Sequence, residues 1–394
     1  MDVKYINMKK KFLPYLSCLI AFVTAACFCN AQPPRGPFII SPQVNENKSV
    51  TFRYLSASAK EVKLGGGQFG ASQVPMIRDS IGIWSITINS IKPDIYPYSF
   101  TVDGITVMDP ANVAFFPNER FKASLVDVPG DTSLIHSIRN VPHGSVTYEY
   151  YPSVENSTGS LVVYTPPGYD KSTSKKYPVF YLISGTTDTE ETFFKVGKTN
   201  FILDNLIAEG KATPMIIVMP YGNPMVRIAE QKGTSKPADL ISREGDDAVR
   251  RAKLFETDLV TNVIPYIQNN YRTINNRDSR AIGGFSRGGG QTLRTGFGNM
   301  DKFSWICCYS AYLSIPEMES SFKAVYEKPA KTNKDLKLLW VSVGNEDFLY
   351  KPTIEFMDFL KAKNVNYKSL VTPGGHTWMN VKNYVASTTQ LLFK

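Results

Sequence analysis

The stretch Ala281-Ile282-Gly283-Gly284-Phe285-Ser286-Arg287-Gly288-Gly289-Gly290 decides the reading of this chain. Inside it, Gly284-Phe285-Ser286-Arg287-Gly288 is a G-x-S-x-G pentapeptide, entered from an apolar run and left through Gln291-Thr292-Leu293-Arg294. That order predicts a strand, a sharp turn and a helix. A serine exposed on such a turn sits in strained backbone, so the residues two away on either side must lack side chains. The helix that follows aims free N–H groups and its positive dipole end at the turn. Ser286 is therefore the expected nucleophile.

A serine hydroxyl attacks only when a base takes its proton. The chain has three histidines. His136 and His143 precede the first strand of the region that holds the serine. His376 follows the serine in Thr372-Pro373-Gly374-Gly375-His376-Thr377-Trp378, where two glycines allow close approach to a site. His376 is the expected base and His143 the alternative. The base needs a carboxylate to orient it and to stabilise its charged form. Asn345-Glu346-Asp347-Phe348 follows the apolar run at 338–343, at the carboxyl end of a strand, where open α/β sheets build their sites. Asp347 is preferred over Glu346. The order Ser286, Asp347, His376 is that of α/β-hydrolases. Two N–H groups must bind the oxyanion. The backbone of Arg287 is one, and the turn Ser184-Gly185-Thr186-Thr187 offers Thr186 as the other.

Working outward, short apolar runs at 161–164, 179–183, 215–219, 281–284 and 336–343 alternate with amphipathic helices expected over 199–209, 256–271 and 353–363. Runs of this kind suit a mostly parallel sheet with helices on both faces, the α/β-hydrolase fold, over 141–394. Residues 32–140 read differently. Alternating runs at 49–54, 81–88 and 98–102, separated by Gly65-Gly66-Gly67, Pro93-Asp94 and Asp103-Gly104, predict a β-sandwich. Asp103-Gly104 is a hairpin turn signal. Trp84 and Tyr98 suit sandwich core and sugar platform equally.

The chain has 394 residues, 43% of them hydrophobic, and a net charge of +9. Collagen, coiled coil and wholesale disorder are excluded by that composition. Beyond the first eleven residues the charge forms no long basic run, Lys175-Lys176 beside Lys171 reading as a solvated loop, so a nucleic-acid partner is not expected. Lys9-Lys10-Lys11, an uncharged apolar stretch over 12–29 and then Asn30-Ala31-Gln32-Pro33-Pro34 have the layout of a secretory signal. Cleavage after Ala31 is expected, making 1–31 a signal peptide that leaves an exported protein without a membrane span. Lipid attachment at Cys27 is the alternative. Of five cysteines, only Cys307 and Cys308 lie beyond that segment, and they read as small buried residues. Neither a metal nor an organic cofactor is implied.

From Tyr148 onward the chain resembles carbohydrate esterase family 1, the esterase D and feruloyl-esterase group. The resemblance rests on Tyr164-Thr165-Pro166-Pro167-Gly168-Tyr169, Ile217-Val218-Met219-Pro220, Phe255-Glu256 through Ile264-Pro265-Tyr266, the serine elbow, Gly344-Asn345-Glu346-Asp347 and Gly375-His376-Thr377-Trp378. It implies the same triad. It also implies a serine esterase acting on feruloyl esters of plant polysaccharide such as arabinoxylan. Many relatives have His-Gly where this chain has Ser184-Gly185. Trp378, Tyr221 and Asn223 are the candidate pocket residues. The β-rich part is similar to the immunoglobulin-like module of the family 48 carbohydrate-binding type, which implies an immunoglobulin-like sandwich. Acetyl-xylan esterase, siderophore-ester hydrolase and a non-catalytic glycan-binding protein are the alternatives.

Overall fold

The computed structural model describes residues 37–66, 69, 73–234 and 246–394. The expected signal segment, with Cys27 and Ala31, lies outside them, as does Gly67.

Each of the five apolar runs forms a strand of one eight-stranded sheet. Its members are β10 (Ser145–Pro152), β11 (Thr158–Thr165), β12 (Val179–Ile183), β13 (Ile216–Pro220), β14 (Arg280–Phe285), β15 (Trp305–Tyr309), β16 (Leu338–Gly344) and β17 (Lys368–Thr372). The order is β10-β11-β13-β12-β14-β15-β16-β17. The pairs β10–β11 and β11–β13 are antiparallel, and the remainder are parallel. Strands β12 to β16 are buried along their whole length, because helices cover both faces and leave no polar side. Cys307 and Cys308 lie in β15 as free, buried thiols. This is the expected α/β-hydrolase architecture. No described helix is long and apolar enough to cross a membrane.

The amino-terminal strands form two sheets. One has the order β1-β2-β6-β5, from β1 (Gln43–Val44), β2 (Val50–Leu55), β5 (Ile77–Arg78) and β6 (Ile83–Ile88). The other has β4 (Gln73–Pro75), β3 (Val62–Gly65), β7 (Asp94–Val102) and β8 (Ile105–Val107), with β9 (Ser124–Val128) also on β7. Phe52, Trp84, Leu64, Tyr98, Phe100 and Val126 meet between the sheets as one core. Trp84 and Tyr98 are therefore sandwich core: the indole N–H donates to the Ser56 carbonyl, and the Tyr98 hydroxyl donates to Asp109. The β7–β8 hairpin turns at Asp103 (φ 47°) and Gly104 (φ 86°), the two positive values that a type I′ turn requires.

Residues 41–394 are one compact unit, without a break near residue 140. The reason is packing. Ile95, Phe116, Ala123 and Leu125 of the amino-terminal part share a core with Phe180, Phe285, Trp378 and Val381 of the α/β part. Met379, on the carboxyl-terminal helix Trp378–Thr389, reaches the sandwich core. Three residues further on, Lys382 forms an ion pair with Asp94 of β7, and its side chain is 2% exposed. Burial pulls the Lys382 ammonium below its ordinary pKa, against the upward pull of Asp94. Removing one partner of a buried pair leaves the other charge uncompensated. Lys382→Ala is expected to lose about 3 kcal/mol of stability in urea unfolding at neutral pH. A loss under about 1 kcal/mol would show that the pair does not join the two parts.

Candidate active site

The first element to place is the turn between β14 and the helix Arg287–Gly298. Ser286 occupies it at φ 56° and ψ −118°, a conformation that costs a non-glycine residue energy. Two backbone bonds hold it there: Ser286 N–H donates to the Tyr309 carbonyl at 2.9 Å, and Gly290 N–H donates to the Ser286 carbonyl at 3.0 Å. The flanking glycines are forced by space. A Cβ on Gly284 would lie 2.4 Å from the Gly288 carbonyl oxygen, and one on Gly288 would lie 2.2 Å from that of Ile183. Both obstacles are backbone. Gly288→Ala is expected to cost about 3 kcal/mol and most of the activity, read from thermal unfolding and ester turnover. An active protein of parental stability would contradict that geometry.

Asp347 and His376 come from loops after adjacent parallel strands, β16 and β17. Those loops are stitched together. Asn345 N–H donates to the Thr372 carbonyl at 2.8 Å and Glu346 N–H to the Gly374 carbonyl at 3.0 Å. Gly344 and Gly374 permit the approach, since a Cβ on Gly344 would meet the Gly374 oxygen at 2.1 Å. The Nδ1 of His376 then lies 2.8 and 3.0 Å from the two carboxylate oxygens of Asp347. The Asp347 side chain is fully buried and also accepts from Leu349 N–H at 2.8 Å. Burial alone would raise its pKa, but the bonds from His376 and Leu349 outweigh it and hold the carboxyl below the usual range. Glu346 is exposed, so Asp347 is the carboxylate that meets the ring. The imidazole is flanked by Phe285 and Phe348, each with its centroid 4.6 Å away.

Ser286 and His376 line one cavity of about 350 Å³, within the size range of small-molecule sites. No hydrogen bond joins Ser286 Oγ to the ring among the described residues. Catalytic contacts of that kind often tighten only when substrate arrives. Thr186 also lines the cavity. Its N–H has no protein acceptor among the described residues, and Arg287, first in its helix, has an N–H with no partner inside the helix. Trp378 lines the cavity and packs edge-on against Phe193 and Phe285.

Other candidates fall elsewhere. Tyr221 and Asn223 are buried and do not line the cavity. Tyr221 packs under the Arg227 guanidinium and against Met225 and Val226, while Asn223 precedes the helix Pro224–Lys232 without a side-chain cap bond to it. His143 is engaged by Asp204 at 2.9 Å and by the Arg139 carbonyl at 3.1 Å. His136 is buried, and that burial, with Lys382 nearby, lowers it to about 4.

Sequence reading missed Ile95, Pro97, Phe116, Asn118 and Phe121, all from the amino-terminal part and all lining the cavity. The aromatic pair in Phe115-Phe116-Pro117-Asn118, within an otherwise irregular connection, was the available signal. Asn118 pairs with Asp188, a buried carboxylate whose pKa burial pushes up to about 7, against the downward pull of Asn118 and Arg287.

Comparisons with known proteins show the family of the chain. A family described as "Putative esterase" matches residues 155–380. An endo-1,4-beta-xylanase/feruloyl esterase of Xylanibacter ruminicola is 27% identical over 362 residues, covering 90% of this chain and 46% of that protein. Endo-1,4-beta-xylanase Y of Acetivibrio thermocellus is 27% identical over 73% of this chain and 27% of its own length. This chain thus spans less than half of either relative. Among solved structures, a ferulic acid esterase superposes with a TM-score of 0.53 at 27% identity, covering 64% of this chain and 98% of its own. The enterobactin esterase of Shigella flexneri superposes over 87% of this chain and 92% of its own, with a TM-score of 0.56 and 12% identity, a likeness of fold alone. The matched segment includes the serine elbow, the Asp347 loop and His376, and the chain belongs to this esterase family.

Proposed function

We propose that this protein is an exported serine esterase that removes feruloyl or related hydroxycinnamoyl groups from plant cell-wall polysaccharide such as arabinoxylan. One observation carries the reading: a serine in a strained turn and an imidazole held by a buried carboxylate open onto the same aromatic-walled cavity. In the mechanism, Ser286 Oγ attacks the ester carbonyl while His376 takes its proton and passes it to the departing sugar hydroxyl. Asp347 holds Nδ1 and stabilises the imidazolium. The N–H groups of Thr186 and Arg287 receive the oxyanion. Water, deprotonated by His376, then releases the acid from Ser286.

The walls argue for an aromatic acyl group. Phe116, Phe121, Phe285, Phe348 and Trp378 line the cavity, and no lysine or arginine is among the described residues that line it. A flat hydroxycinnamoyl ring suits such walls. An anionic iron chelate would find no cationic partner there. The relatives named for feruloyl-ester hydrolysis support the same reading.

The test is product analysis on arabinoxylan carrying both feruloyl and acetyl groups, with methyl ferulate and a catecholate trilactone as soluble comparisons. Ferulate is expected to exceed acetate at least ~10-fold, because transition-state contacts with the ring favour the aromatic acyl group. Acetate release without ferulate, or preferential cleavage of the trilactone, would contradict the assignment.

A further inference from the structure

The loop Gly185-Thr186-Thr187-Asp188 carries the expected oxyanion donor, yet it is short and contains a strained residue, with Thr187 at φ 64°. Its own bonding is slight: Asp188 N–H reaches the Gly185 carbonyl at 3.3 Å. What fixes it comes from outside. The Arg287 guanidinium donates to the Gly185 carbonyl at 3.0 Å. The segment arriving from the sandwich runs antiparallel beside the loop, pairing Asn118 with Asp188. Glu119 N–H donates to the Thr187 carbonyl at 2.8 Å, and the Asn118 side-chain amide donates to Asp188 Oδ1 at 2.9 Å. The Thr186 N–H has no acceptor among the described residues, and Thr186 lines the cavity whereas Thr187 does not.

From this pattern, and resting on the esterase reading above, we infer that Asn118 is a positioning residue for the oxyanion loop. A side chain outside the α/β fold thereby sets the aim of the Thr186 N–H. The chemistry of Asn118 fits the role. Its Oδ1 accepts from Arg120 N–H at 2.9 Å and Phe121 N–H at 3.2 Å, so the turn it heads is closed by its oxygen. That leaves the amide nitrogen to face Asp188. Both side chains are buried, Asn118 at 5% exposure and Asp188 at 5%, so no water replaces the bond cheaply. Thr192 Oγ1 donates to the Pro117 carbonyl at 2.9 Å and anchors the same segment one residue earlier. An oxyanion donor acts through placement, and an error of about 1 Å costs on the order of a hundredfold in rate.

A plain turn residue would also be an asparagine, and the test separates the two roles. Asn118→Asp keeps the oxygen that closes the turn but sets an acceptor against Asp188. Asn118→Ala removes both functions. Joining Asn118→Asp to Asp188→Asn reverses the bond, with the new amide at position 188 donating to the new carboxylate at position 118. Turnover of p-nitrophenyl acetate is measured, because its small acyl group spans little of the aromatic wall, with thermal unfolding as the check on folding. Asn118→Asp and Asn118→Ala are expected to lower kcat by about 10- to 100-fold with KM changed less than about threefold, and the reversed pair to return within about threefold of the parent. A folded Asn118→Asp protein with kcat within twofold of the parent would overturn the inference. So would a reversed pair no better than Asn118→Asp alone. Absence of turnover in the parent would sink the esterase reading itself and this inference with it, an outcome distinct from a variant-specific result.

Discussion

Ser286→Ala is expected to lower kcat on methyl ferulate and on p-nitrophenyl acetate by at least ~10³-fold, with little change in unfolding temperature. The size follows from what is removed. The hydroxyl is the proposed nucleophile, and it lines the cavity at the start of a helix whose first N–H groups have no partner within the helix. The alanine protein keeps the N–H donors and the aromatic walls, so its residual rate above water comes from binding and oxyanion stabilisation. Stability should hold because the side chain of Ser286 caps nothing in its helix. Relief of the strained turn is not expected either, since alanine faces the same positive φ. Measured turnover within tenfold of the parent would remove Ser286 from the reaction.

His376→Ala and Asp347→Asn are expected to cost about 10³-fold and about 10³- to 10⁴-fold in kcat respectively. The histidine variant loses the proton acceptor outright. The asparagine variant keeps the shape but replaces a carboxylate that takes two contacts from Nδ1 with a neutral amide, so the ring can settle in the wrong tautomer. Because His376 also packs between Phe285 and Phe348, its ring stays near the site in Asp347→Asn, and the loss appears in kcat more than in KM. The sign with pH is fixed by the direction of the Asp347 shift. A carboxyl held below its unfolded value contributes stability above about pH 4, lost as pH falls through the lower folded value. Asp347→Asn should therefore flatten the acid end of the stability profile. A variant with parental kcat, or an unchanged acid limb in unfolding, would contradict the pairing.

What the sequence disclosed were features whose cause is local. The elbow must carry glycines at 284 and 288 because carbonyl oxygens fill the space a side chain would take. The Asp103-Gly104 hairpin is legible for the same kind of reason, two positive φ angles in succession. Buried parallel strands stand out as apolar runs. The edge strand β17 does not: its residues Lys368–Thr372 are mostly exposed, so no apolar run marks it. The helix expected over 256–271 instead begins at Asp246, and Leu259–Val263 winds as a π segment before Ile264–Asn270. Pro265, which lacks an N–H, accounts for the altered winding there. Choosing Asp347 over Glu346 needed the loop geometry, which buries one carboxylate and exposes the other. Least legible was the contribution of the amino-terminal part. Asn118 and Asp188 are 70 residues apart, and no periodicity connects them.

That contribution changes how the two parts relate. Phe116, Asn118 and Phe121 line the cavity, and Asp94 holds the helix that begins with Trp378, beside His376. The sandwich is thus built into the walls and supports of the candidate site.

The central claim is a covalent one, and trapping the acyl group tests it directly. The protein is mixed with p-nitrophenyl ferulate, quenched in acid within milliseconds and weighed intact, then digested to locate the added mass. One feruloyl group per chain on the peptide containing Ser286, absent from Ser286→Ala, is the result expected of a serine acyl-enzyme. Ferulate release without any acylated chain, or with the acyl group on another residue, would contradict it.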